Sequence, residues 1–283
     1  MWRAVSVKAS HRCYEKRPRV NQPSAKPSAS FLPPAPSRAP TLYRPAAMPP
    51  VNRAEVLRYL GYGDRAPDPA TEELLGRCSA ELAGTAQPRA LFAAFPLKEP
   101  DEPGGPLRLG GCELALPGED IAAHLRGCSA AVLLCATLSA PTDALIRRAQ
   151  LRDMAAGLVM DCCATTWVEQ LCDLVEQQAK PLFPGAQFTT RFSPGYGDLP
   201  LLMQAAFLAA LDAPRKIGLC ATDASILTPR KSVTALFGVA AAAPSEARTG
   251  CSHCRMNGRC AFQRKGETCG LSHASQKETV RPA

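Results

Sequence analysis

Apolar and polar positions alternate along this chain in a helical period over several stretches. "NRAEVLRYLGYG" (52–63) predicts a short helix closed by Gly61, and "TEELLGRCSAELAG" (71–84) a second, with Thr71 as cap and Gly84 as stop. Residues 95–120 are rich in Gly and Pro and predict a meander with short extended pieces such as "CELAL". "PGEDIAAHLRGC" (117–128) predicts a compact helix. "SAAVLLCATL" (129–138) is a continuous apolar run bounded by turn residues, the pattern of a buried strand. A long helix is expected from "TDALIRRAQLRDMAAGLVMDCCA", capped by Thr142 or Asp143, and a separate one from "TTWVEQLCDLVEQQ" (165–178). In the latter Trp167, Val168, Leu171, Leu174 and Val175 mark the buried side, with Glu169, Asp173 and Glu176 opposite.

"RFSPGYGDLPLLMQAAFLAALD" (191–212) predicts a buried helix over about 199–211, with Asp198 as N-cap and Pro200 in its first turn. "RKIGLCAT" (215–222) and "KSVTALFGVAA" (231–241) read as two strands joined by "DASILTPR", although their period-2 alternation is partial. Helices and strands mix without regular βαβ alternation. The expected fold class is therefore α+β, a mixed, largely antiparallel sheet with flanking helices.

Composition divides the chain into parts. Of its 33 basic and 25 acidic residues, nine and one fall within residues 1–50, which leaves 24 of each in the rest. The positive charge belongs to the N-terminal segment, so the remainder offers no net-charge footprint for nucleic acid. That segment also holds ten of the 27 prolines and reads as disordered, because it buries too little apolar surface to offset its ordering entropy. Three readings stay open for it: a dispensable extension with Met48 opening the folded part, an Arg-rich transit peptide, or a basic interaction tail. The organisation expected is 1–50 extension, 51–243 folded domain and 244–283 Cys-rich tail.

No apolar run reaches the ~18 residues that a membrane span requires. Most of the 13 cysteines sit in apolar patterns (Cys128, Cys135, Cys172, Cys220) as small hydrophobes, which fits a reducing, cytoplasmic compartment, or an organelle if the extension is a transit peptide. Cys162 and Cys163 read as packing thiols, and His124 as a helix-surface or capping residue.

Two stretches carry candidate chemistry. In "RFSPGYGD", Arg191 offers a bidentate grip for a carboxylate or phosphate, Gly195 and Gly197 permit close backbone approach, and Tyr196 presents a flat face. Together they suit an anionic small molecule with a planar part. A plain Pro-Gly turn beside a surface arginine accounts for the same residues. In the tail, Cys251, Cys254, Cys260 and Cys269 fall within 19 residues, the first two at CxxC spacing. Four such thiols suit zinc or an iron–sulfur cluster, with His253 and His273 as substitutes, and a loose tail of reduced thiols is the alternative.

"RFSPGYGDLPL" followed by "KIGLCATDASILTPRKSVTALFGV" resembles the S-adenosylmethionine-binding activation domain of vitamin B12-dependent methionine synthase, in its stand-alone form. "DIAAHLRGCSAAVLLCATLSAPTDALIRRAQLRDM", "LVMDCCATTWVEQLCD" and "NRAEVLRYLGY" extend the resemblance over about residues 51–240. It implies that Arg191 pairs with the methionine carboxylate of S-adenosylmethionine, that Ser193, Gly195 and Tyr196 line this cofactor, and that Glu169 contacts its ribose hydroxyls. The family's acidic contact for the amino group has no residue assigned here. Thr222-Asp223-Ala224 departs from the family's Thr-Glu-Ser, and the cobalamin-binding Asp-x-His-x-x-Gly motif is absent. No homocysteine- or folate-binding segment fits in this length.

The implied activity is reductive methylation of cobalamin carried by another protein. Cob(II)alamin takes an electron from a one-electron reductase or flavodoxin-like donor, then attacks the sulfonium methyl. The expected partner is a cobalamin-binding methionine synthase; another corrinoid methyltransferase, or a purely adaptor role in docking a corrinoid protein, are the alternatives.

Overall fold

The computed structural model describes residues 39–62, 65–102, 104–241 and 258–259. Strand β1 (Thr41–Tyr43) leads to helix α1 (Arg53–Tyr59), then α2 (Pro69–Thr85) and β2 (Arg89–Lys98). The short strands β3 (Leu107–Leu109) and β4 (Ala115–Leu116) follow, with helix α3 (Glu119–His124) and the long strand β5 (Cys128–Thr137). Helices α4 (Ala140–Arg152) and α5 (Met154–Ala179) precede β6 (Gln187–Phe188). The chain closes through α6 (Gln204–Ala210), α7 (Ala213–Ile217), β7 (Cys220–Ala221), β8 (Leu227–Thr228) and β9 (Ser232–Ala240).

One seven-stranded sheet runs β4-β3-β2-β5-β9-β6, with β1 added alongside β2, and β7 with β8 forms a separate hairpin. Every strand pair among the described residues is antiparallel, as the α+β reading expects. Its centre is β5, in register with β2 (Leu91 opposite Cys135) and β9 (Leu133 opposite Leu236). Alternate residues of these strands face opposite sides. Leu91, Ala93, Phe95, Leu133 and Leu236 pack with Phe207, Leu208, Leu211 and Ile217 of α6 and α7. The other side meets α5. Helices on both faces explain why β5 is a continuous apolar run even though its sheet is antiparallel.

Several expectations are corrected. Asp68, not Thr71, caps α2: its carboxylate accepts from Thr71 N at 2.9 Å and Thr71 Oγ1 at 2.8 Å, and the helix runs past Gly84. The long helix expected from Thr142 begins at Ala140 and ends at Arg152, because Asp153 turns extended and caps α5 by accepting from Ala155 N and Ala156 N. No break follows at Thr165, whose hydroxyl bonds back to the Asp161 carbonyl within α5.

The stretch 215–222 is not a strand throughout. Pro214 opens the short helix α7, Gly218 at φ 69° closes it, and only Cys220–Ala221 is extended. Cys220 is exposed rather than packed. Cys128 is half-buried, and Cys135, Cys162, Cys163 and Cys172 are buried. Burial pushes the Cys135 thiol up to about 12.

The extension read as disordered to residue 50 is ordered at its end. Thr41–Tyr43 pairs with Ala90–Phe92, and the carbonyls of Pro49 and Pro50 accept hydrogen bonds from Trp167 Nε1 and Gln170 Nε2. Residues 1–38 and the tail cysteines Cys251, Cys254, Cys260 and Cys269 lie outside the described residues. Among the described residues no helix is long and apolar enough to cross a membrane, and no His, Cys, Asp and Glu side chains group so as to hold a metal ion.

Candidate functional site

The site grows from the flank of β9 that pairs with β6. Beyond β6 the chain stays stitched to that strand: Thr189 N donates to Gly238 O, and Phe192 and Leu236 exchange both backbone bonds at 2.8 Å. This pairing fixes which way successive side chains point. Phe192 packs against the core, while Arg191 and Ser193 line a cavity on the other side. The Phe192 ring lies 5.0 Å from that of His124 and 6.0 Å from that of Tyr196. His124 Nε2 sits 2.9 Å from the Thr190 carbonyl, and burial lowers its pKa, so this histidine braces the segment.

Residues 193–199 fold into a compact turn through Tyr196 N to Ser193 O, Leu199 N to Tyr196 O and Gly195 N to Leu199 O. Gly195 at φ 93° and Gly197 at φ 52° take backbone conformations that side chains disfavour, and a Cβ on Gly197 would meet Asp120 Oδ2 at 2.5 Å. Asp198 corrects its expected role. It does not cap the helix that follows; Pro200 precedes a 3-10 turn (Leu201–Met203) leading into α6. Its carboxylate instead accepts from Glu119 N at 2.6 Å and Asp120 N at 3.1 Å, capping α3 from 79 and 78 residues away.

Arg191 reaches across to α5. Glu169, Asp173 and Glu176, spaced four and three residues apart, stand on one face of that helix. Nη1 of Arg191 donates to Asp173 Oδ1 at 2.7 Å and Glu176 Oε1 at 2.6 Å, and Nη2 to Glu169 Oε2 at 3.3 Å. The guanidinium side chain is 13% exposed. Burial alone would lower its pKa, but the surrounding carboxylates of Glu176 and Asp173 carry it above the ordinary value. Glu169 moves the other way for an acid: burial raises its pKa despite Arg191.

These groups open onto a cavity of about 530 Å³. Of the five residues carried over from the resemblance, Glu169, Arg191, Ser193 and Tyr196 line it together. Gly195 does not; it lies under Leu201, where a Cβ would stand 3.3 Å from Leu201 Cδ1, and serves the turn. The cavity also has walls that sequence reasoning missed. Arg58 and Tyr59 come from α1, Gln204 from the start of α6, and Ser232, Val233 and Thr234 from β9. The α1 pair had no local signal, because Asn52 N to Gln170 Oε1 and Trp167 Nε1 to Pro49 O, which seat α1 on α5, are contacts across more than a hundred residues. Gln204, 6% exposed, accepts a 2.6 Å bond from Thr234 Oγ1, which holds its amide against the cavity wall.

No family model matches the chain, and no curated protein matches it. Among solved structures, the MetH reactivation domain bound to AdoHcy matches with a TM-score of 0.54 over 84% of this chain and 89% of that one, at 14% identity. At this identity the likeness shows the fold, and the fold is that of the MetH reactivation domain.

Proposed function

We propose that this chain binds S-adenosylmethionine in the Arg191 cavity and supports reductive methylation of cob(II)alamin held by a separate cobalamin-dependent methionine synthase. The observation that carries the reading is convergence: Arg191, Ser193 and Tyr196 from one loop and Glu169 from α5 line a single cavity. Its volume lies within the ~300–1,000 Å³ of small-molecule sites. The AdoHcy bound to the structural neighbour is S-adenosylmethionine without its transferable methyl.

S-adenosylmethionine, when bound, supplies a methyl on a positively charged sulfur. The chain's own residues hold it. Arg191 turns one edge of its guanidinium from the α5 carboxylates to the ligand carboxylate, forming charge-assisted bonds. Glu169, released from its 3.3 Å contact, accepts from the ribose hydroxyls. Tyr59 and Tyr196 line the same cavity. A sulfonium is a good leaving group and reduced cobalt a strong nucleophile, so the protein contributes positioning rather than a general base. The reducing electron comes from a flavodoxin-like or related donor.

The test is calorimetry followed by spectroscopy. S-adenosylmethionine should bind the full chain, and Arg191→Ala should weaken binding by about 2 kcal/mol, the scale of a lost hydrogen-bonded charge pair. Adding a cob(II)alamin-loaded partner, a reductant and S-adenosylmethionine should then yield the methylcobalamin spectrum. The three carboxylates already on Arg191 favour one competing reading, in which the arginine is a structural counter-ion and the chain a non-catalytic adaptor. Absence of binding at millimolar ligand would sink the S-adenosylmethionine reading and favour the adaptor.

A further inference from the structure

Toward its start, the outer edge of β9 runs bare. β6 pairs with Val239 and Ala240, and the segment after it makes its last bridge to β9 at Leu236. Among the described residues no strand pairs with 232–234 on that side. Backbone groups of an antiparallel strand point alternately to its two sides. Lys231 O accepts from Leu138 N on the β5 side, whereas Leu236 gives both its N–H and its carbonyl to Phe192 on the outer side. Ser232 and Thr234 fall in step with Leu236, so their backbone groups point outward, and both residues line the cavity. Such an edge offers N–H donors and carbonyl acceptors in a row. Beside it stands Gln204. Its Oε1 accepts from Thr234 Oγ1 at 2.6 Å, and both residues are buried, which fixes the orientation of the amide. Gln204 Nε2 has no hydrogen-bond partner among the described residues, and the residue lines the cavity. A buried donor is costly to leave unpaired, so an acceptor on the ligand is its natural complement.

We infer that this corner reads the nucleobase of the ligand: the β9 edge at Ser232 and Thr234, with the Gln204 amide, selects a 6-amino purine over a 6-oxo purine, and Gln204 is a specificity residue. This rests on the reading of the cavity as the S-adenosylmethionine site. That reading gives the ligand carboxylate to Arg191 and the ribose to Glu169, both at the α5 side, and leaves the base for the α6 side where Gln204 stands. Arg191 and Thr234 also lie on opposite sides of the Phe192–Leu236 bridge along β9, with Thr234 two residues, about 7 Å, from Leu236. Adenine carries an amino donor beside a ring-nitrogen acceptor. A carbonyl and an N–H of the strand edge complement that pair, and Gln204 Nε2 donates to a further ring nitrogen. A 6-oxo purine puts an acceptor where adenine has its donor, so its oxygen meets a carbonyl and the match is lost.

Calorimetric titration of the full chain tests this, with S-adenosylhomocysteine, S-inosylhomocysteine, and S-adenosylhomocysteine analogues in which N1, N3 or N7 is replaced by C–H. The adenine compound should bind at least about tenfold more tightly than its 6-oxo counterpart, the scale of a hydrogen bond lost with its partner left unpaired. At least one ring-nitrogen replacement should weaken binding to the wild-type chain by about tenfold. Gln204→Leu should erase that penalty by weakening S-adenosylhomocysteine to the level of the analogue, whereas a substitution that only disturbed packing would leave the penalty in place. Should Gln204→Leu fail to fold, Gln204→Glu, which keeps an acceptor for Thr234 and removes the donor, takes its place. Equal affinity for the amino and oxo purines, or ring-nitrogen penalties that are absent or unchanged in the variant, would overturn the inference and leave the S-adenosylmethionine reading standing. Binding of none of these compounds, nor of S-adenosylmethionine, would overturn both.

Discussion

Arg191 shows how one residue can be read correctly for type and incompletely for circumstance. The sequence marks it as a free clamp ahead of a glycine-flanked tyrosine. In the fold its guanidinium is already shared among Glu169, Asp173 and Glu176. The helical spacing of these acids was legible, and so was their common face; that this face looks at Arg191 depends on where β9 carries the 189–192 segment. Asp198 makes the same point, since its capping chemistry was evident but its client was taken to be the next helix rather than α3. Glu169 supplies a residue-scale prediction. Its pKa is raised from 4.5 in the folded chain, so as pH rises from about 4.5 the unfolded chain releases this proton first. The native state then binds more protons, and this group's contribution makes stability fall with rising pH through that window. Glu169→Gln should flatten that part of a urea-midpoint-versus-pH profile, the slope being the quantity to measure.

Among the elements, α4 and α5 depend on a close approach that no periodicity reveals. A Cβ on Gly157 would come 2.7 Å from Gln150 Cα and 2.8 Å from its N, backbone atoms that cannot swing aside. Gly157→Ala should therefore destabilise the fold by about 1–3 kcal/mol through overpacking. Gly76, in the exposed run of α2, meets nothing within 4 Å, and Gly76→Ala should stabilise by up to about 1 kcal/mol through helix propensity. Opposite shifts in thermal midpoint are the expected pair of results. The central strands divide by legibility in a similar way. β5 and β9 announced themselves as apolar runs, whereas β2 has no counterpart in the sequence reading. It is alanine-rich and carries Pro96, which argues against a strand. It is accommodated because Pro96 lies at the irregular end of the β2–β5–β9 ladder, opposite Ala130, where the register with β9 shifts.

At the scale of the whole molecule the α+β class and the antiparallel sheet followed from the mixture of elements, and the structural neighbour shows the same fold. What could not be read was the closing of the cavity by α1. A seven-residue helix with Val56 and Leu57 buried is held at the site by contacts with distant residues: Asn52 N donates to Gln170 Oε1, and Trp167 and Gln170 bind the carbonyls of Pro49 and Pro50, just ahead of it. The hydrogen bond of Trp167 has an optical consequence. Trp167 is the only tryptophan among the described residues; Trp2 is the other in the sequence. In a Trp2→Phe chain all indole emission would come from the ring that anchors the wall bearing Tyr59. Any ligand that draws α1 inward, or any truncation that removes Pro49, acts directly on that indole N–H. A shift in emission maximum on removing residues 1–50 from that chain is the expected signature, so the Pro49 anchor ahead of α1 carries its own fluorescent gauge.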